Sequence, residues 1–326
     1  MATEKEEYFA TLSVPNVQDL SSNVANEIPD RYIRPEFQSE FVCDDNSFEI
    51  PVIDFSRILD EKFGHDEMAK LHMACEEWGF FQLINHGAEE AIEKIKNHVE
   101  EFFKQPLDAK KAYAQEPNSM EGYGQAFVQS DDQKLDWGDM YLLRALPART
   151  RNMKFWPNYP LTFREILERY SSEVQKLAIR LLGLMAENLG LEEKKLTDMF
   201  GDMLQALRMN YYPPCQQADK ENGIWVPVHA IPGAFIINIG DMLEIWSNGK
   251  YKSIEHRVVV NPRRERLSVA AFHAPNEDSV IGPLSDLVKK EGAKYKSIDL
   301  NSYYKLNNTL QGKKHANEMK LVNTTN

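Results

Sequence analysis

"ALRMNYYPPCQQADKENGIWVPVHAIPGAFIINIG", residues 206–240, decides how the second half of this chain folds. Two short apolar runs, "ALRMNYY" and "AFIINIG", are separated by prolines, glycines and asparagine, the punctuation of strands joined by turns. Two further runs follow, "HRVVV" (256–260) and "RLSVAAFHA" (266–274). Successive short strands, each closed by a turn signal, predict a sandwich or jelly roll from about residue 203.

Toward the N-terminus the texture is different. "EIPVIDF" (49–55) and "GFFQLINHG" (79–87) read as strands on either side of a helix over "HDEMAKLHMACEEW" (65–78). Ile92, Ile95, Val99, Phe102 and Phe103 then share one face at the helical period, and Pro106 ends that helix. Phe163, Ile166, Leu167, Tyr170, Val174, Leu177, Leu181 and Leu184 mark a longer helix that Gly190 stops. The expected organisation is α+β: a polar arm over 1–48, a mainly helical region over 49–200, a jelly-roll domain over 201–280 and a charged helical tail over 281–326.

Composition narrows the partners. Fifty acidic against 38 basic residues give a net charge of −12 with no long block of one sign, which argues against nucleic acid. Cys43, Cys75 and Cys215 are odd in number and form no C-x-x-C, so neither a disulfide framework nor a zinc ribbon is indicated and a reducing compartment fits. No basic leader precedes an apolar run, and no stretch of ~18 apolar residues occurs, so a cytoplasmic protein without a membrane partner is expected.

The chemistry sits in the second half. Arg266 and Ser268, at i and i+2 of one predicted strand, project from the same face. A guanidinium fork beside a hydroxyl is suited to holding a carboxylate. His256 opens the preceding predicted strand.

These segments, with "EIPVIDF", "EEWGFFQLINHG", "MEGYGQAF", "QKLDWGDM", "RMNYYPPC", "PGAFIINIGDMLEIWSNGKYKSIEHR" and "RERLSVAAFHAP", resemble the plant iron(II)/2-oxoglutarate-dependent dioxygenases of specialised metabolism over nearly the whole chain. "GYGQAF" and "LDW" are similar to norcoclaurine synthase-like and benzylisoquinoline O-demethylase-like members. The resemblance implies a double-stranded β-helix, or jelly-roll, core. It implies Fe(II), 2-oxoglutarate and, as an auxiliary, ascorbate as cofactors, with dioxygen and a small aromatic molecule as partners in hydroxylation or O-demethylation. It makes His256 the distal iron ligand, and it makes Arg266, Ser268, Tyr212 and Asn210 the 2-oxoglutarate site.

One part of the pattern is missing. In the family a His-x-Asp pair follows "NYYPPC", whereas here "NYYPPC" runs through "QQADKENGI" straight into "WVPVHAIPGAF". Roughly 25–30 residues of the family layout, with two of the three ligands of a facial triad, have no counterpart. His65 with Glu67 and His98 with Glu100 spell His-x-Glu, but on helical patterns, where i and i+2 do not share a face. Asp219 is the candidate substitute carboxylate, and His229 reads as solvent-facing.

The core is therefore expected to be short by about two strands, with open edges. Besides the oxygenase, a catalytically inactive shortened isoform or binding protein and a norcoclaurine synthase-like amine–aldehyde condensation are open. His86 is expected to cap a turn at a strand end, and Trp78, Phe80 and Phe81 to lie in the core. Tyr123 and Phe127 either line the pocket mouth or pack.

Overall fold

The computed structural model describes residues 12–23, 28–33, 49–117, 119–125, 128, 130–215, 225–309 and 314–321. Strand β1 (Val52–Asp54) runs parallel to β2 (Phe80–Ile84), with Ile53 opposite Leu83. The connection between them is the helix Gly64–Met73, which continues as a π turn over Ala74–Trp78. Gly79 ends that turn at φ +62°, where a Cβ would stand 2.0 Å from the carbonyl oxygen of Lys252. Only glycine fits so close an approach of two backbones.

A second sheet carries β3 (Gly122–Gly124), β4 (Asp139–Leu146), β5 (Leu204–Tyr212) and, C-terminal to them, the nine-residue strand Arg266–Ala274. With β6 (Phe235–Asn238) counted in chain order, that strand is β7. The order is β3-β4-β5-β7, antiparallel throughout, while β6 joins the first sheet beside β2. A short pair, β8 (Val280–Ile281) and β9 (Ile298–Asp299), lies near the C-terminal helices.

The helix Phe163–Asn188 ties the sheets together because its apolar stripe is long enough to serve two cores. Its first half, with Leu167, Tyr170 and Val174, packs with Tyr141, Leu207 and Met209 of the four-stranded sheet. Its second half, with Leu181, Leu184 and Met185, packs with Ile53, Phe81 and Trp246. Gly190, at φ +70°, closes it as the sequence predicts. The C-terminal tail is held by Glu244, a carboxylate only 3% exposed that accepts hydrogen bonds from the Tyr295 hydroxyl at 2.8 Å, Lys314 Nζ at 2.7 Å and the Ser253 amide at 2.7 Å.

"HRVVV" does not form the strand its composition predicts. Residues 252–265 carry no ladder, and Val258 and Val259 are 41% and 54% exposed. Among the described residues β6 pairs only with β2, and β7 only with β5, so no described strand forms a ladder with this segment, whose backbone meets described chain singly, as where Asn261 O accepts from the Cys215 amide at 3.0 Å. Strand propensity expresses itself only against a pleated partner. The first predicted strand is likewise shortened, from seven residues to Val52–Asp54. Cys75 and Cys215 are buried and in no disulfide, and Cys43 lies outside the described residues. No helix among the described residues is long and apolar enough to cross a membrane.

Candidate functional site

The two-residue period of β5 sends Arg208, Asn210 and Tyr212 to one face, and Leu207, Met209 and Tyr211 to the other, where they join the helix-packed core. The register of β5 against β7 puts Ser268 opposite Asn210 and Arg266 opposite Tyr212. Directly opposed residues share a face, so the four residues singled out for 2-oxoglutarate come together.

The contacts are specific. Arg208 Nε donates to Asn210 Oδ1 at 2.8 Å, and Asn210 Nδ2 donates to Ser268 Oγ at 3.2 Å. The Arg266 guanidinium lies 5.5 Å from the centre of the Tyr212 ring. Burial pushes the Tyr212 phenol up from its usual range, against the pull of Arg208 and Arg266, so the ring is a neutral hydroxyl near neutrality. Arg208, Asn210 and Tyr212 open onto a recess of about 170 Å³ whose walls also include Asp136, Gly138 and Met140.

Two contributors were not singled out from the sequence. Arg208 carried a signal, since it stands at i−2 and i−4 from two chosen residues on the same strand. Gly138 carried none. A Cβ there would meet Tyr212 Cδ1 at 2.7 Å and the Tyr211 carbonyl oxygen at 2.9 Å, so the "DWGDM" glycine is what lets the Tyr212 ring lie flat against the loop.

Beneath this wall, Asp139 is buried and accepts from the amides of Val17 and Gln18 at 2.7 and 2.9 Å and from the Tyr123 hydroxyl at 3.2 Å. Tyr123 is thereby a core residue, 2% exposed, and Phe127 lies outside the described residues. Next to them Lys110 is buried, and burial pushes its amine down to about 8.

The iron side is different. His256 sits on the irregular segment rather than at a strand start, and it is exposed. Its Nδ1 donates to the Ile254 carbonyl at 3.1 Å and its Nε2 accepts from Asn238 Nδ2 at 3.1 Å, a tautomer assigned from these partners. The ring stands 5.7 Å from that of Phe80. Among the described residues neither a carboxylate nor a second imidazole is seen to contact it, and no group of three His, Cys, Asp or Glu side chains could hold a metal.

The other histidines are occupied elsewhere. His65 is exposed beside Asp66, and His98 bonds Lys94 O at 2.8 Å and Thr162 Oγ1 at 3.1 Å. His229 is exposed as expected, and Asp219 lies outside the described residues. His86 caps the turn after β2: Nε2 bonds Gly233 O at 2.9 Å and Nδ1 accepts the Ala88 amide at 3.1 Å. Phe81 is fully buried, whereas Trp78 and Phe80 are half-buried. The residues present fit a dicarboxylate, and the described donors do not fit a three-ligand iron.

Comparison with known proteins identifies the frame. Residues 50–159 match the family described as the N-terminal region of non-haem dioxygenases in morphine synthesis, and residues 217–275 match the 2OG-Fe(II) oxygenase superfamily. S-norcoclaurine synthase 1 of Coptis japonica is 48% identical, covering 95% of this chain and 97% of the relative. The aligned stretch, 342 positions, exceeds the 326 residues of the whole chain, so the relative carries residues without a counterpart here. Oxoglutarate-dependent flavonoid 7-O-demethylase 1 of Ocimum basilicum is 41% identical over 96% of this chain and 92% of its own. The crystal structure of JOX2 in complex with 2OG, Fe and JA superposes with a TM-score of 0.85 at 33% identity, covering 95% of this chain and 99% of that one. The chain belongs to the 2-oxoglutarate-dependent dioxygenases, an oxidoreductase family of jelly-roll fold whose cofactors are Fe(II) and 2-oxoglutarate.

Proposed function

We propose that this chain is a shortened oxygenase of plant specialised metabolism that keeps the 2-oxoglutarate half of the site and, as written, does not turn the cosubstrate over. The observation that carries this is the convergence of Arg266, Tyr212, Asn210 and Ser268 on one face of β5 and β7, set against an exposed His256 whose neighbours are Asn238 and a backbone carbonyl. Arg266 supplies a planar fork for the far carboxylate, and Ser268 and Tyr212 supply hydroxyls beside it. His256 is the position from which iron would be held, and bound iron supplies the oxidising chemistry of the family. A lone imidazole lacks the chelate partners that make such a site tight, so its metal affinity falls by orders of magnitude.

The ancestral reaction under this reading is hydroxylation or O-demethylation of a small aromatic substrate, supported by the likeness to a flavonoid O-demethylase. A second reading is favoured by the likeness to S-norcoclaurine synthase 1: condensation of an amine with an aldehyde, which needs acid–base groups and no redox cycle.

The test is succinate formation from 2-oxoglutarate by the full chain, with and without Fe(II), beside a version carrying a family-type His-x-Asp segment between Cys215 and Trp225. Succinate only from the restored version is expected. Iron-dependent succinate from the chain as written would overturn the proposal and direct attention to Asp219. Product from an aromatic amine and an aldehyde without 2-oxoglutarate would establish the second reading instead.

A further inference from the structure

We infer that Arg208 is a positioning residue that sets the direction of the Ser268 hydroxyl, acting through the Asn210 side-chain amide; this rests on the dicarboxylate reading of the site. An asparagine amide can be turned over at almost no cost in shape, exchanging its acceptor oxygen for its donor nitrogen. Here one side of the Asn210 amide meets Arg208 Nε at 2.8 Å and the other meets Ser268 Oγ at 3.2 Å. A guanidinium has donors and no acceptor, so Asn210 must offer it Oδ1. That leaves Nδ2 facing Ser268, whose oxygen accepts. A hydroxyl that accepts from its neighbour keeps its own hydrogen free to donate elsewhere. On the shared face of β5 and β7 the group set to receive it is an anion held by Arg266, two residues along the same strand.

Without Arg208 the amide is free to turn. Oδ1 then takes the Ser268 hydrogen, and the hydroxyl presents lone pairs to the anion in place of a donor. The consequence is a sign change at one contact rather than a loss of packing. Asn210 is buried and Arg208 is half-buried, so the chain Arg208–Asn210–Ser268 is shielded enough for this polarity to be maintained. Charge-assisted bonds of this kind are roughly twice as strong as neutral ones, which is why a guanidinium fixes the amide better than a neutral donor of the same reach.

The experiment is an NMR-monitored titration of the full chain with glutarate, a dicarboxylate that makes no demand on a metal. Arg208→Met is expected to weaken glutarate binding about tenfold, the scale of one hydrogen bond to a charged group. Arg208→Lys, which keeps a donor and no acceptor at the end of a long side chain, is expected to recover most of that loss, and Arg208→Gln, whose own amide can turn and accept from Asn210, is expected to recover little. In a Ser268→Ala background Arg208→Met is expected to cost almost nothing further, because the hydroxyl it orients is gone. If Arg208→Lys binds as poorly as Arg208→Met, or if the losses from Arg208→Met and Ser268→Ala add, Arg208 does not act by orienting the Ser268 hydroxyl and the inference is overturned.

A ligand-free readout separates this outcome from failure of the underlying reading. The melting-temperature losses of Arg208→Met and Ser268→Ala should be non-additive, since both act on one amide. Additive losses would also overturn the inference. Non-additive losses in a chain that binds neither glutarate nor 2-oxoglutarate would bring down the dicarboxylate reading while leaving the polarity of the hydroxyl established.

Discussion

Tyr212 and Arg266 stand opposite each other across β5 and β7, with the guanidinium 5.5 Å from the centre of the phenol ring. A guanidinium set over a ring face keeps its N–H edge free to meet an anion. Arg266 is exposed, so by itself it contributes little to stability, and its contribution appears when an anion is bound. Arg266→Ala is therefore expected to leave the melting temperature nearly unchanged and to weaken glutarate or 2-oxoglutarate binding by about ten- to a hundredfold. Arg266→Lys should recover little, since an ammonium cannot reproduce the two parallel bonds. Titration calorimetry or NMR on the three proteins checks both statements.

Gly138 makes room for the same tyrosine. An added methyl at 2.7 Å from Tyr212 Cδ1 and 2.9 Å from the Tyr211 carbonyl must displace one of them, and the carbonyl belongs to the β4–β5 ladder. Gly138→Ala should cost about 1–3 kcal/mol of stability, the usual range for overpacking, and should weaken dicarboxylate binding as Tyr212 moves. Urea denaturation gives the first quantity and the glutarate titration the second.

His273 predicts an acid lability. Burial pushes its imidazole down to about 4, and as the neutral form it takes a hydrogen bond from Gln205 Nε2 at 3.0 Å, in a network that also includes Ser171. Between about pH 6.5, where an unfolded histidine titrates, and about 4, the unfolded chain binds the proton more readily than the folded one. Stability is thus fully present above about 6.5 and is lost as the pH falls toward 4, at up to about 1.4 kcal/mol per pH unit from this group. His273→Gln should flatten that part of the stability–pH curve, which denaturant melts across the range would reveal.

Among the described residues β7 pairs only with β5, and the edge this leaves predicts behaviour in solution. Phe272, 54% exposed, lies on the last strand of the four-stranded sheet, and Ile254, Val258 and Val259 of the irregular segment are more than two-fifths exposed. Apolar residues beside a free ladder edge invite dye binding and association. The chain is expected to bind an apolar fluorescent dye in its folded state. Phe272→Thr, which keeps β propensity, should reduce that signal with a stability change within about 0.5 kcal/mol, as at most surface positions. An undiminished signal would place the exposed apolar surface elsewhere.

Some of this protein could be read from local pattern alone. The stripe from Phe163 to Leu184 became the helix Phe163–Asn188 because a 3.6 period needs no distant partner to be recognised. "RLSVAAFHA" became β7, and the i, i+2 spacing of Arg266 and Ser268 placed both on one face before any partner strand was known. The shared motifs likewise carried the family, because they extend across nearly the whole chain.

Tertiary structure decided the rest. Whether "HRVVV" becomes a strand depends on a neighbour many residues away, and with no ladder partner among the described residues Val258 and Val259 stay exposed and His256 is left on an irregular segment. That Arg208 reaches Asn210, that Asn210 reaches Ser268, and that Gly138 makes room for Tyr212 follow from strand register and loop approach. Periodicity is a property of one segment and is written in it. Register and close approach are properties of two segments, fixed only when the chain brings them within hydrogen-bonding distance.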